Sequence, residues 1–342
     1  MSIKIDWENL GFNYFQTSSH VKMNYSDNNW SDIKLVSEPY LKIHIAATIL
    51  HYGQGAFEGL KAFCCKDGKI RVFRPDENYK RMKTAAERVY MPMFSEKQYF
   101  DALTKVIADN SEYVPPYGTG GSLYIRPLLI GTGPTIGVSP SNEYVFLIIV
   151  MPVGNYYKGG IKPVSALVVD GYDRAAPSGV GNVKIPGNYA ASFKAQTLAK
   201  KAGYPINLYL DSKTHSFIDE FGTSNFIAIT KDGKYVTPSS KSILPSITNK
   251  SLRQLATDLD INVEVRPIKF DEISKFAEIA ACGTAVVLTP INEIVSKEKI
   301  YTISQKDKCG PILQKLYDHI TALQRGEIED PHNWMWDSGV AL

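Results

Sequence analysis

A chain of 342 residues with 44% hydrophobic and 21% charged side chains is too long for a peptide hormone or a disulfide miniprotein and too apolar for a disordered segment. At roughly 150 residues per domain it has the length for about two domains, each with a core of its own. Its 38 Lys and Arg against 35 Asp and Glu leave a formal charge of +3, no surplus for nucleic acid or an anionic membrane, so small uncharged or anionic ligands suit it better.

The N-terminal stretch places Asp6 and Glu8 where a signal peptide needs an apolar run and where a mitochondrial presequence avoids acids, so a cytoplasmic location is expected. The spacing of Tyr79, Met82, Ala86 and Val89 predicts a helix over 76–89, and Ser95 with Gln98 forms a capping box for a second helix carrying Tyr99, Leu103, Val106 and Ile107. Strands are expected over 122–130 and 143–151, the latter apolar on both faces as in the middle of a covered sheet. The glycines of 131–137 fit neither a dinucleotide fingerprint nor a P-loop, and read as a turn between those strands. Gly-, Pro- and Tyr-rich sequence over 152–181 marks the domain junction, giving expected domains at 1–157 and 182–342 with a linker over 158–181. A helix over 189–202 follows, then strands at Ile206–Leu210, 225–230 and 235–237 with a hairpin turn at Asp232-Gly233, and helices over 250–259 and Pro311–Gln324. Strands and helices mix without strict βαβ alternation, which predicts an α+β fold.

The six histidines and four cysteines (Cys64, Cys65, Cys282, Cys309) show no metal-binding or disulfide spacing, so no metal is expected and the thiols read as reduced. The chemistry concentrates in four segments. In GVGNVKIPGNY (179–189) one lysine, Lys184, stands among Gly179, Gly181 and Gly187; most lysines are solvated, but one in a dry pocket loses its proton and can form an imine with an aldehyde. In IDEFGTSNF (218–226) Glu220 is either a plain acid at a strand end or a carboxylate that keeps a heterocyclic nitrogen protonated. LPSITNKS (244–251) enters a helix whose first N–H groups suit phosphate, and ACGTA (281–285) is a small-residue turn with similar amides. Together they specify pyridoxal 5′-phosphate.

On these motifs, in this order and at these separations, the chain from about Tyr52 onward resembles the class IV aminotransferases, and among them the branched-chain amino acid aminotransferases. The resemblance implies fold type IV, with a smaller N-terminal α/β domain and a larger C-terminal pseudo-barrel domain with surrounding helices. It implies Lys184 as the catalytic, cofactor-bearing lysine, Tyr189 near the cofactor's phenolic oxygen, Glu220 as partner of the pyridine nitrogen, and Asn225 bracing that turn. Arg81, within FRPDENYKRM, would grip the phosphate, with Ile247, Thr248 and Thr284 as further donors. HYGQGAFEGLKAF and SLYIRP resemble the family's pocket segments and imply substrate contacts from Tyr52, Phe57, Tyr124 and Arg126, joined by Tyr156 and by Thr284-Ala285 at the α-carboxylate. In a strand, Tyr124 and Arg126 share a face. The implied reaction moves the amino group of L-leucine, L-isoleucine or L-valine to 2-oxoglutarate by ping-pong kinetics, in a homodimer. A D-amino acid aminotransferase and an aminodeoxychorismate lyase share the lysine, glutamate and phosphate turns but are usually shorter and lack the Tyr124–Arg126 pattern. A non-catalytic protein with a degenerate site is disfavoured by intact Lys184, Glu220 and Arg81. Two departures stand out: Ser246 where the family's phosphate turn usually has glycine, and Asn249 where a basic residue is common. Val286, Val287 and Leu288 occupy the place of the C-x-x-C redox pair of some animal members, so no such switch is expected.

Overall fold

A computed structural model of the protein describes residues 5–154, 160–297, 299–303 and 308–342. Tyr156, expected among the substrate contacts, lies outside the described residues. The chain is α+β, as its pattern predicts, and contacts divide it into two compact units: one of Met1–Tyr156, Lys184–Pro186 and Ala322–Leu342, the other of Tyr157–Val183 and Gly187–Thr321.

The first unit carries strands β1 (His20–Ser26), β2 (Asn29–Trp30), β3 (Lys34–Val36), β4 (Gly55–Phe57), β5 (Leu60–Cys64), β6 (Lys69–Phe73), β7 (Ser122–Gly131) and β8 (Tyr144–Val153). Helices α1 (Thr48–Tyr52), α2 (Pro75–Arg88) and α3 (Glu96–Asp109) accompany them. The predicted capping box is present: Ser95 Oγ accepts from the Gln98 N–H and the Gln98 side chain accepts from Ser95. β7 and β8 pair antiparallel over their full lengths, with β5 and β1 on their outer sides, so β8 is internal as its unbroken apolar run requires. α3 packs on β8, where Phe94 and Phe146 meet at 4.3 Å between ring centroids.

The second unit carries β9 (Val164–Val168), β10 (Ile206–Leu210), β11 (Ile218–Phe221), β12 (Ser224–Thr230), β13 (Tyr235–Pro238), β14 (Val263–Arg266), β15 (Phe276–Gly283), β16 (Val287–Val295) and β17 (Ile300–Thr302). Its helices are α4 (Pro186–Lys201), α5 (Ile247–Asp258) and α6 (Pro311–Gln324). The path β11-β10-β9-β16-β15-β12 returns on itself through β11–β12 pairing, a closed barrel of six strands filled by Ala166, Leu208, Phe221, Phe226, Ile279 and Ile294. Closure removes the exposed edges that these short strands would otherwise offer. The hairpin at Asp232-Gly233 joins β12 to β13, with Gly233 at φ +85°.

Two departures from the expected boundaries follow. After the second unit the chain supplies β18 (Met335–Ala341), which pairs antiparallel with β6, so residues 322–342 belong to the first sheet's unit instead of the expected 182–342 domain. Lys184, expected in that same domain, groups with the first unit because its carbonyl accepts from the Phe57 N–H at 3.1 Å. Among the described residues, no helix is long and apolar enough to cross a membrane.

Candidate active site

The expected site residues fall into two clusters. In the first unit, the short strand β4 ends at Phe57, and the Lys184 Nζ lies 4.7 Å from the centre of the Phe57 ring. The Arg126 guanidinium stands over the same ring at 5.0 Å. Alternation along β7 brings Arg126 and Tyr124 onto one face, as expected, and Arg126 Nη2 donates to the Tyr124 hydroxyl at 2.7 Å. Phe12, which no sequence motif singles out, meets Tyr124 edge-to-face at 4.9 Å. Gly59 is needed here for space: a β-carbon on it would lie 2.3 Å from the Tyr124 hydroxyl oxygen.

Between Phe57 and Gly59 sits Glu58, fully buried and not anticipated from sequence. Burial alone would raise its carboxyl pKa, but Arg81 overcomes that and, with Lys184 and Asn78, holds the group below its usual value. Arg81 donates from Nε to Oε1 at 2.7 Å and from Nη2 to Oε2 at 2.8 Å, and Asn78 Nδ2 adds a third bond at 2.7 Å. Arg81, expected at the phosphate, is therefore clamped in plane by Glu58. A carboxylate between Phe57 and Gly59 in an apolar run was the signal for this pair, since a buried charge requires a partner. Tyr52 ends α1 half-exposed, its hydroxyl donating to the Ile136 carbonyl of the 132–143 loop, toward which it turns.

In the second unit, Glu220 on β11 is 2% exposed. Asn225 on β12, its cross-strand partner, donates from Nδ2 to Oε2 at 2.9 Å, and the Leu244 N–H donates to Oε1 at 3.2 Å. Arg174 Nη2, also buried and missed by the sequence reading, stands 3.2 Å from Oε1. Desolvation is the largest influence and pushes the Glu220 carboxyl up to about 7 despite Arg174 and these two bonds. Cys282, opposite Asn225 in register, is a packed thiol whose pKa burial and the nearby Glu220 raise.

Ser246, at the place of the usual glycine, is the N-cap of α5, its Oγ accepting from the Asn249 N–H at 3.2 Å. Ile247 and Thr248 are the first helical residues, so their N–H groups stand outside the helix's own ladder. The substituted turn thus keeps its amide donors. Thr284 and Ala285 lie in the turn joining β15 to β16. Tyr189 lies in the first turn of α4, behind Asn188, whose Nδ2 donates to the Val180 and Val183 carbonyls and pins the lysine's approach segment. None of Gly179, Gly181 and Gly187 adopts positive φ; Gly181 is required by closeness, with the Ser242 carbonyl oxygen 2.1 Å from a β-carbon built there.

A primary amine, a buried carboxylate whose desolvation one arginine does not fully offset, and helix-start amides are a donor set that fits pyridoxal 5′-phosphate. Arg174 Nη1 is a buried donor with no hydrogen-bond partner among the described residues.

A family model described as amino-transferase class IV matches residues 55–294. The chain is 45% identical over 337 residues to the branched-chain-amino-acid aminotransferase of Helicobacter pylori, covering 98% of each chain. It superposes on the crystal structure of the Escherichia coli branched-chain amino acid aminotransferase with a TM-score of 0.80 at 25% identity, covering 94% of this chain and 99% of that one. A second solved neighbour, the branched-chain aminotransferase of the archaeon Thermoproteus uzoniensis with norvaline, gives a TM-score of 0.77 at 25% identity, covering 93% of this chain and 99% of the other.

Proposed function

From the premise that this chain belongs to the class IV aminotransferases, we propose that it is a branched-chain-amino-acid transaminase, passing the amino group of L-leucine, L-isoleucine or L-valine to 2-oxoglutarate. The observation that carries the substrate reading is the sharing of one ring: Lys184 Nζ and the Arg126 guanidinium both stand over Phe57, so the reactive amine adjoins an aromatic wall with a cation on it. Phe57 and Tyr124 offer apolar surface to an aliphatic side chain. Arg126, steadied by the Tyr124 hydroxyl, offers charge to the second carboxylate of glutamate, which is costly to bury unpaired.

Pyridoxal phosphate, when bound, supplies an aldehyde for attachment to an amine and a ring that accepts electron density from the substrate's Cα. Lys184 would hold the cofactor through its amine and, as a free amine, would take the substrate's Cα proton and give it up again as general base and then acid. Glu220 would keep a proton on the ring nitrogen, and Asn225 and the Leu244 N–H aim Glu220 and favour its ionised form against desolvation. Arg81, fixed by Glu58, would bind the phosphate with Ile247, Thr248 and Thr284; Tyr189 would serve the phenolic oxygen, and Thr284 and Ala285 would receive the α-carboxylate. Tyr52 would complete the pocket wall. Homodimeric assembly and a cytoplasmic location complete the reading, the first testable by sedimentation.

Borohydride should fix a cofactor-sized mass on the peptide carrying Lys184, and L-leucine and L-valine should be turned over with 2-oxoglutarate while D-alanine is not. A protein that gains no chromophore from pyridoxal phosphate, or that turns over only the D-amino acid, would overturn the proposal.

A further inference from the structure

Beneath Glu220 runs a chain of buried polar side chains that the reaction does not itself require. The Tyr235 hydroxyl donates to Asn249 Oδ1 at 2.8 Å, Asn249 Nδ2 donates to Asn225 Oδ1 at 3.1 Å, and Asn225 Nδ2 donates to Glu220 Oε2 at 2.9 Å. All four residues are buried, Tyr235 completely. The second Asn249 Nδ2 hydrogen goes to Thr237 Oγ1 at 2.8 Å, whose own hydroxyl donates to the Phe226 carbonyl at 2.8 Å. Along the row from Tyr235 every donor points toward Glu220, so each amide has one permitted orientation.

We propose that Asn249 is a positioning residue for Glu220: by donating to Asn225 Oδ1 it fixes, together with the Leu244 carbonyl that accepts from Asn225 Nδ2 at 3.0 Å, which end of the Asn225 amide faces the carboxylate. The inference rests on the reading of Glu220 as ring-nitrogen partner. An Asn225 amide can present either its NH2 or its oxygen to a neighbour. Presented as NH2 it stabilises the carboxylate; presented as oxygen it favours the protonated acid, which cannot accept the ring proton's hydrogen bond with a full negative charge. A ring-nitrogen partner must be ionised, so the Asn225 orientation sets how strongly Glu220 acts. Tyr235 anchors the row as a donor, because complete burial raises its pKa well above 10 and keeps its proton in place. Ser246 fixes the Asn249 backbone, so the capped helix start and the relay share one residue. The two departures at 246 and 249 thus belong to one device: a neutral amide in place of a basic side chain, braced by the cap beside it.

The test uses the full chain with three substitutions: Asn249→Leu, Asn249→Asp and, as reference, Glu220→Gln. Asn249→Asp has the wild-type size and keeps the acceptor for Tyr235, but its carboxylate can no longer donate; it sets an acceptor against Asn225 Oδ1 and so opposes the orientation that the Leu244 carbonyl, accepting from Asn225 Nδ2 at 3.0 Å, still favours. The affinity of cofactor-free protein for pyridoxal phosphate, by fluorescence titration, is expected to fall about tenfold in both Asn249 variants, as for loss of one buried charge-assisted hydrogen bond, and at least as far in Glu220→Gln. The absorption spectrum of loaded Asn249→Asp should shift in the same direction as that of Glu220→Gln, and kcat should drop about tenfold with the amino-acid KM within about twofold. Should Asn249→Leu fail to fold, Asn249→Asp carries the test. If Asn249→Asp binds and absorbs like wild type while Glu220→Gln is weakened, the positioning role is overturned and the reading of Glu220 stands. If Glu220→Gln itself binds and absorbs like wild type, that reading fails and the proposal fails with it.

Discussion

A methyl group is enough to test the pocket. At Gly59 a β-carbon would collide with the Tyr124 hydroxyl, which is buried and held by Arg126, so Tyr124 has no cheap retreat. Gly59→Ala is expected to raise the KM for L-leucine and 2-oxoglutarate about tenfold with cofactor affinity unchanged, read by steady-state kinetics and pyridoxal phosphate titration. Glu220 gives a second expectation, in pH. Its folded-state pKa of about 7 lies above the ordinary 4.5, so between those values the folded cofactor-free protein holds that proton more tightly than the unfolded chain does. Stability therefore falls as pH rises through that window, by about 3 kcal/mol in total. Denaturant unfolding of cofactor-free protein from pH 4.5 to 7.5 should show that decline, and Glu220→Gln should flatten it. Glu58 has the opposite sign: its lowered pKa contributes stability above 4.5 that is lost below it. Lys184, Glu220 and Asn225 are legible in the sequence because each sits in a short local motif. The contacts of Arg174 and Asn249 are not, although Asn249 stands out as a departure, because they reach Glu220 and Asn225 only after the barrel closes; Asn249 is 24 residues from the amide it meets.

Among elements, α6 shows how a strand can begin a helix. Glu278 on β15 is 5% exposed, and its carboxylate accepts from the Ile312 N–H at 3.1 Å and the Leu313 N–H at 2.8 Å, two of the donors that the first turn of α6 cannot satisfy itself. Glu278→Ala is expected to cost about 1–3 kcal/mol in denaturant unfolding, and Glu278→Gln about half of that, because a neutral amide still accepts. Proline and periodicity suffice to bound α6 at Pro311–Gln324, yet its cap is invisible in sequence, lying on a strand far from it along the chain. The same contrast holds elsewhere. α3 is legible through the Ser95–Gln98 box, a device contained in four residues. β4 is not: three residues, Gly55–Phe57, give no alternation to detect, and Glu58 beside it looks like a surface charge until Arg81 is brought to it by α2. α5 begins three residues before its expected start because Ser246 caps it.

At the scale of the molecule, the first sheet depends on a segment remote in sequence. β18 covers the outer edge of β6, with Ser338 Oγ donating to the Ile70 carbonyl at 2.6 Å and Trp336 opposite Val72. Its sequence, MWDSGVA, carries Asp337, Ser338 and Gly339 and shifts register between Asp337 and Val340, which is why no strand is legible there. Deleting 335–342 is expected to lower the melting temperature by roughly 5–10 °C and to promote aggregation through the bared β6 edge, measurable by calorimetry and light scattering. During translation, β6 leaves the ribosome long before β18, with the whole barrel made in between. For that interval the sheet bearing Phe57, Tyr124 and Arg126 has an unpaired edge. A nascent chain stalled before residue 335 should therefore recruit edge-covering chaperones that the finished chain does not need.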